Sequence, residues 1–192
     1  MPRGTPGYEL APPYHKLGWR ASDTRELTFT DCRVPDSSRV GEIGNGLRQF
    51  LTVLEEGRIA VAAMSVGQAQ GCLDQAIAYA KDRIQFGQPI IRHQAVAFQL
   101  ADLATEIEAA RALTYLTARK RAGGESTKTE ASMAKLLASE LAQKTATAAV
   151  NIFGGYGFMA ETPIARFYRD VPVLTIGEGT SNILRLLISR AL

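Results

Sequence analysis

The chain has 192 residues, 46% of them hydrophobic and 21% charged, with a formal net charge of +3. That balance describes a folded globular protein with one well-buried core, or one domain and an appendage, and excludes a disordered chain. A charge this mild gives no ground for nucleic-acid binding, although a local basic face could serve the phosphates of a small ligand.

From Met1 to about Gly44 the sequence is rich in Pro and Gly, with a short alternating run, Glu26 to Asp31, that suits a half-exposed strand, and a turn at Pro35-Asp-Ser-Ser. This stretch reads as β and loop, too short to fold alone. Helical periodicity takes over at Asn45 and continues to the end, so the expected division is 1–44 and 45–192. A first helix is predicted from about Gly46 to Arg83, stopping at Gly87-Gln-Pro89. Its centre, Ile59 to Met64, is apolar all round, which predicts burial on more than one side.

A second helix, about Arg92 to Arg121, places Val96, Leu100, Leu103, Ile107, Ala110 and Leu113 on one face and ends at Gly123-Gly124. A third opens on Thr127-Lys-Thr-Glu130, the pattern of a capping box, and repeats Ala134, Ala138, Leu141, Ala142, Thr145 and Ala149. A shorter helix follows Pro163, and a last one runs from Ser181 to about Arg190. The fold class is mainly α: an antiparallel bundle of long helices behind a short β and loop segment.

Cys32 and Cys72 are far apart and read as buried thiols, without support for a disulfide or zinc site. His15 and His93 lack the spacing of a metal pair, so no metal site is expected. The longest apolar run, Ile59 to Val66, falls far short of the ~20 residues of a bilayer span. The N-terminus shows neither a signal core nor an Arg-rich transit pattern, so a cytoplasmic location is the expectation.

Four segments could carry chemistry. In Arg83-Ile-Gln-Phe-Gly87, followed by His93-Gln94, the arginine either caps the first helix or forks a phosphate, with Phe86 as a surface for a flat ring. In Phe153-Gly-Gly-Tyr-Gly-Phe158 the glycines either end the third helix in left-handed conformations or bring bare backbone to a pyrophosphate; no helix is expected to open there. In Leu54-Glu-Glu-Gly-Arg58 a glycine interrupts a good helix, which marks close approach by another group. Arg58 then leads into the buried centre, where it must find a partner, pair with Glu55 three residues back, or escape to solvent. In Ile176-Gly-Glu-Gly-Thr-Ser181 a single carboxylate stands between two glycines at the start of a helix, either as a surface turn or as a base.

Taken together and in this order, Arg83-x-x-Phe-Gly with Gln94, Ile152-Phe-Gly-Gly-x-Gly-Phe158, Arg169-Asp170 and Gly177-Glu-Gly-Thr-Ser181 resemble the C-terminal domain of the acyl-CoA dehydrogenase family. The front segment, with Gly4-Thr-Pro-Gly7, Lys16-Leu-Gly-Trp-Arg20 and Phe29-x-Asp-Cys-x-Val-Pro35, is similar to the end of that family's middle β-domain. The resemblance covers essentially the whole chain. It implies an FAD-dependent enzyme that converts an acyl-CoA thioester to the trans-2-enoyl-CoA, with Glu178 as the base that removes the α-proton. A free Glu titrates near ~4.3, and exclusion of water by an acyl chain would raise its basicity.

By the same resemblance Glu55, Arg58 and Gly179 contact the CoA substrate. Arg83, Gln85, Phe86, His93, Gln94, Gly154 and Gly155 hold the ADP part of FAD, commonly on the neighbouring subunit, and Thr180, Ser181 and Asn182 contact the flavin. It further implies an electron-accepting partner such as an electron-transfer flavoprotein, and assembly into a homo-oligomer or with a chain that supplies the family's other domains. Gly177 and Asn151 depart from the tyrosine and glutamine many relatives carry there, so chain-length preference does not transfer. The competing expectation is a non-catalytic helical assembly module.

Overall fold

The computed structural model describes all 192 residues, and they divide into two compact units, Met1–Thr52 and Val53–Leu192. In the first, β1 (Tyr8–Leu10) pairs antiparallel with β2 (Leu27–Phe29), and the rings of Tyr8 and Phe29 stack at 5.2 Å. The run from Glu26 to Asp31 thus contributes only three residues of strand, because Asp31 turns into positive φ (48°) and ends the pairing. Lys16 ties the intervening loop by donating to the Ser22 carbonyl and the Thr24 hydroxyl. Cys32, expected in a core, is only half-buried, since a unit of two short strands has little interior to offer.

The long helix α1 (Gly46–Asp82) begins in the first unit and runs on into the second. After it come a tight hairpin, β3 (Ile84–Gln85) with β4 (Gln88–Pro89), then α2 (Gln94–Ala122) and α3 (Lys128–Phe153). The chain closes with a single turn α4 (Gly155–Phe158), α5 (Pro163–Asp170), a 3-10 stretch Val171–Thr175, and α6 (Ser181–Ser189). No helix is long and apolar enough to cross a membrane.

The second unit is organised around α3, which packs on α2, α4, α5, the 3-10 stretch and α6. All six small or apolar positions of its predicted stripe are buried, as are Ala131, Ala146 and Ala148 beside them. Small side chains let neighbouring helices approach closely on several sides at once. The buried face of α2 follows the expected residues from Leu100 to Ala110 and then continues through Thr114 and Thr117. Their hydroxyls donate to the carbonyls of Ala110 (2.7 Å) and Leu113 (2.9 Å), which makes threonine acceptable inside. Cys72 is fully buried, and burial pushes its thiol up to about 12, so it is an inert core group.

Two local expectations are corrected. The centre of α1 is not buried all round: Ala62 is enclosed, but Ala60, Ala63 and Met64 are exposed. Ala60 and Ala63 line, with Ile59, Ala118 and Ala122, an open groove of about 710 Å³. The capping box at α3 also does not form. Thr127 makes no side-chain cap bond and its Oγ1 is buried without a hydrogen-bond partner, its backbone (φ −121°, ψ 21°) lying outside the extended conformation of a capping residue, and the Glu130 carboxylate is drawn instead to Lys120 Nζ at 2.9 Å.

Candidate active site

Glu178 lies in the turn between the 3-10 stretch and α6, and two successive residues of that turn, Glu178 (φ 55°) and Gly179 (φ 107°), are left-handed. A glutamate in this region is uncommon and needs support from its surroundings. The support comes from two cations on two other helices. Arg58 of α1, 6% exposed, donates through Nε to the Glu178 carbonyl at 3.2 Å. Lys135 of α3, with no exposed surface, donates through Nζ to the Gly179 carbonyl at 2.7 Å. Thr180 then caps α6 with a long contact, its Oγ1 accepting from the Ile183 amide at 3.5 Å.

The side chain of Glu178 crosses to α1 and lies against Gly57. A Cβ added at Gly57 would stand 2.6 Å from Glu178 Oε2 and 2.8 Å from its Cδ, so this helix position must be glycine for the carboxylate to occupy its place. The glycine that interrupts α1 therefore marks the close approach its sequence context predicts. Oε2 is buried and has no hydrogen-bond partner. Arg58 neither pairs with Glu55 nor escapes to solvent; its partner is the backbone of the Glu178 turn. Glu55 is half-buried one turn earlier on α1 and adds to the negative field around Arg121, which pairs with Glu56. Ser181 and Asn182 form the first turn of α6, half-buried and exposed respectively.

A second cluster forms at the other end of α1. The β3–β4 hairpin turns on Phe86 (φ 52°) and Gly87 (φ 79°), the two positive φ angles of a type I′ turn. His93 braces it, with Nε2 at 3.2 Å from the Gln85 carbonyl and Nδ1 at 3.4 Å from Gln88 Nε2. Phe86 is 93% exposed, its ring edge-on to His93. Arg83 and Gln85 meet Gly154 and Gly155 around a cleft of about 550 Å³, whose aromatic wall is Tyr79 stacked on Phe153 at 4.2 Å. Phe86, His93 and Gln94 do not line this cleft; they stand on the hairpin and the start of α2 next to it in sequence.

The paired glycines differ from expectation. Only Gly154 is left-handed (φ 59°), and its amide is committed to the carbonyls of Val150 and Asn151 at the end of α3. Gly155 is helical and opens α4, where a helix was not expected, and the Gly157 amide of that turn donates to the Gly154 carbonyl at 2.9 Å.

Residues 44–192 match the family model described as acyl-CoA dehydrogenase, C-terminal domain. The chain belongs to the acyl-CoA dehydrogenase family. A probable acyl-CoA dehydrogenase of Bacillus subtilis, YngJ, is 45% identical over 192 residues, which is all of this chain and 50% of that protein. A subunit of the caffeyl-CoA reductase–Etf complex of Acetobacterium woodii, CarC, is 43% identical over 183 residues, 95% of this chain and 48% of that protein. The butyryl-CoA dehydrogenase structure of Megasphaera elsdenii superposes with a TM-score of 0.96 at 40% identity, over the whole of this chain and 50% of that one. The chain thus spans about half the length of the acyl-CoA dehydrogenases it matches.

Within this acyl-CoA dehydrogenase fold, sequence reasoning missed two groups, Lys135 beside Glu178 and Tyr79 in the second cluster. Lys135 sits inside a stripe of alanines and serines, where a lone lysine among small residues is the only signal available. Tyr79, the floor of the second cluster, has no sequence feature that separates it from an ordinary core aromatic.

Proposed function

We propose that this chain carries the base and the nucleotide cleft of an FAD-dependent acyl-CoA dehydrogenase that takes an acyl-CoA thioester to the trans-2-enoyl-CoA. The observation that carries the reading is the Glu178 carboxylate, buried at Oε2 without a partner and held against Gly57 by a turn that two cations fix. A non-catalytic assembly module gives no reason to hold a carboxylate in this way, because burial of an unpaired polar atom only costs stability.

Glu178 takes the proton next to the thioester carbonyl, and its fixed position saves the entropy of finding that proton. Glu55 and Arg58 on α1 and Gly179 in the turn flank the thioester and CoA part of the substrate, with Arg58 set by its bond to the Glu178 carbonyl. FAD, when bound, supplies the acceptor for the β-hydride. Thr180, Ser181 and Asn182 at the start of α6 face the flavin side of that site.

The second cluster fits the ADP part of the same cofactor: a guanidinium at Arg83, an aromatic wall at Tyr79 and Phe153, and open space in front of Gly154 and Gly155, where an added Cβ would meet nothing within 4 Å. Phe86, His93 and Gln94 form the adjoining hairpin face. Gly57 and Tyr79, both on α1, are about 33 Å apart along its axis at the α-helical rise. Base and cleft in one chain therefore serve two different flavins, which supports a homo-oligomer in which each copy completes its neighbour's site. The segment that relatives carry beyond this half, on the same chain or a separate one, completes the flavin-ring pocket, and an electron-transfer flavoprotein is the electron acceptor we assign.

The test is anaerobic addition of acyl-CoA to the flavin-loaded protein, followed by its visible spectrum. Flavin bleaching that disappears in Glu178→Gln, with acyl-CoA binding retained, supports the reading; bleaching that survives the substitution overturns it.

A further inference from the structure

We propose that Lys135 is a positioning residue for Glu178: by holding the Gly179 carbonyl, it fixes the left-handed turn that aims the carboxylate across Gly57. The proposal rests on the reading of Glu178 as the base. Lysine is almost never fully enclosed without a paired charge, yet Lys135 has no exposed surface and no carboxylate within ion-pair distance. Its hydrogen bond goes to one backbone carbonyl, Gly179 O at 2.7 Å, across 44 residues of sequence. A core that needed only to be filled at this point of α3 would be more stable with an apolar side chain, since a buried ammonium must be desolvated. What the ammonium adds is direction. Arg58 holds the carbonyl of residue 178 from α1 and Lys135 holds that of residue 179 from α3, so two consecutive peptide groups are pinned from two helices. With both carbonyls pinned, Glu178 and Gly179 keep positive φ, and the carboxylate keeps its place against Gly57.

The charged groups that face Lys135 are Arg58 on α1, Glu178 in the turn and Glu140 on α3 itself; burial and Arg58 together bring its ammonium down to about 8, against the pull of the two carboxylates. The contact therefore has a signature independent of catalysis. The first experiment follows the carbonyl ¹³C shift of Gly179 in the 192-residue chain as pH rises through about 8. An inflection there or at higher pH up to the ordinary lysine value of 10.5, absent in Lys135→Met, upholds the contact; a shift that stays flat over that whole range in the wild-type chain overturns it, and this holds even if Lys135→Met fails to fold.

The second experiment measures single-turnover flavin reduction by butyryl-CoA in the flavin-loaded protein. Lys135→Met is expected to reduce flavin about 10²-fold more slowly, with butyryl-CoA affinity changed by less than about threefold, the pattern of a displaced base and an intact binding site. Reduction at the wild-type rate in Lys135→Met, while Glu178→Gln is inactive, overturns the positioning role. Reduction that survives in Glu178→Gln instead overturns the assignment of the base, and the proposal with it, whatever the carbonyl shift shows.

Discussion

Glu178 Oε2 occupies the space that a side chain on Gly57 would fill: an added Cβ would stand 2.6 Å away, closer than two such atoms can approach. The two residues are 121 positions apart in sequence, and each explains the other. The glycine has no helical rationale on α1, and the carboxylate has no hydrogen bond at that oxygen to hold it there.

This relationship predicts opposite effects on stability and on chemistry for Gly57→Ala. The new methyl meets the far end of a flexible side chain, so the carboxylate swings away rather than the helix. Alanine in a helix interior is favoured over glycine by about 1 kcal/mol, so the melting temperature should stay level or rise. Flavin reduction by acyl-CoA should fall by about 10²-fold, as expected for a base moved by an ångström. Thermal melts by circular dichroism and stopped-flow reduction on the same preparation check both halves; loss of stability with unchanged reduction contradicts the prediction.

The pH dependence of stability follows from Lys135. Its ammonium is lowered from the ordinary 10.5 to about 8, chiefly by burial, then by Arg58, with Glu178 and Glu140 opposing. Below about 8 both native and unfolded chains hold this proton, and Lys135 adds no slope. Between about 8 and 10.5 the unfolded chain holds it and the native chain does not, so this residue makes stability rise with pH in that window. Urea midpoints on either side of the window should show the wild type gaining relative to Lys135→Met. Parallel curves for the two proteins would mean that the lysine titrates alike in both states.

The turn at Thr127 gives a prediction of the other sign. Its hydroxyl is buried without a partner, and Glu130, which a capping box would turn back to the helix end, is bound to Lys120. Replacing a working N-cap costs about 1 kcal/mol. Thr127→Val instead removes an unsatisfied polar atom and keeps the shape, so stability should be unchanged or rise by up to about 1 kcal/mol. A chemical-denaturation midpoint that drops measurably in Thr127→Val would restore the cap.

These cases also show what could be read from the sequence. The stripe of α3, the ends of α1 and α2 and the start of α5 follow from periodicity and from Gly and Pro, because these are local rules that the bundle does not override. Gly57 was legible as an anomaly, since a helix interior disfavours glycine, but not its partner, which lies far along the chain. Lys135 was invisible for the same reason: a lysine on a helix is normally solvated, and only the packing of α6 and its preceding turn onto α3 encloses this one. The capping box failed because Thr127 does not take the extended backbone of a capping residue, and Glu130 pairs with Lys120 on the neighbouring helix. The expectation of an enclosed α1 centre failed because hydrophobicity says that a surface is apolar, not that these residues contain what covers it.

The adjacent glycines at the end of α3 separate conformational need from close approach. Gly154 has φ 59° and ψ −132°, a region closed to residues with a side chain, although nothing lies within 4 Å of where its Cβ would be. Gly155 has equal open space but a helical conformation. Gly154→Ala should therefore destabilise the chain by about 1–3 kcal/mol through the backbone alone. Gly155→Ala should leave stability within about 0.5 kcal/mol, as a surface change without strain does. If the cleft with Arg83 holds the ADP part of FAD, Gly155→Ala places a methyl group where the pyrophosphate approaches, so flavin retention after gel filtration should fall in this stable variant. Full retention of flavin by a well-folded Gly155→Ala protein would remove the cleft from the cofactor site, while leaving Glu178 and its turn untouched.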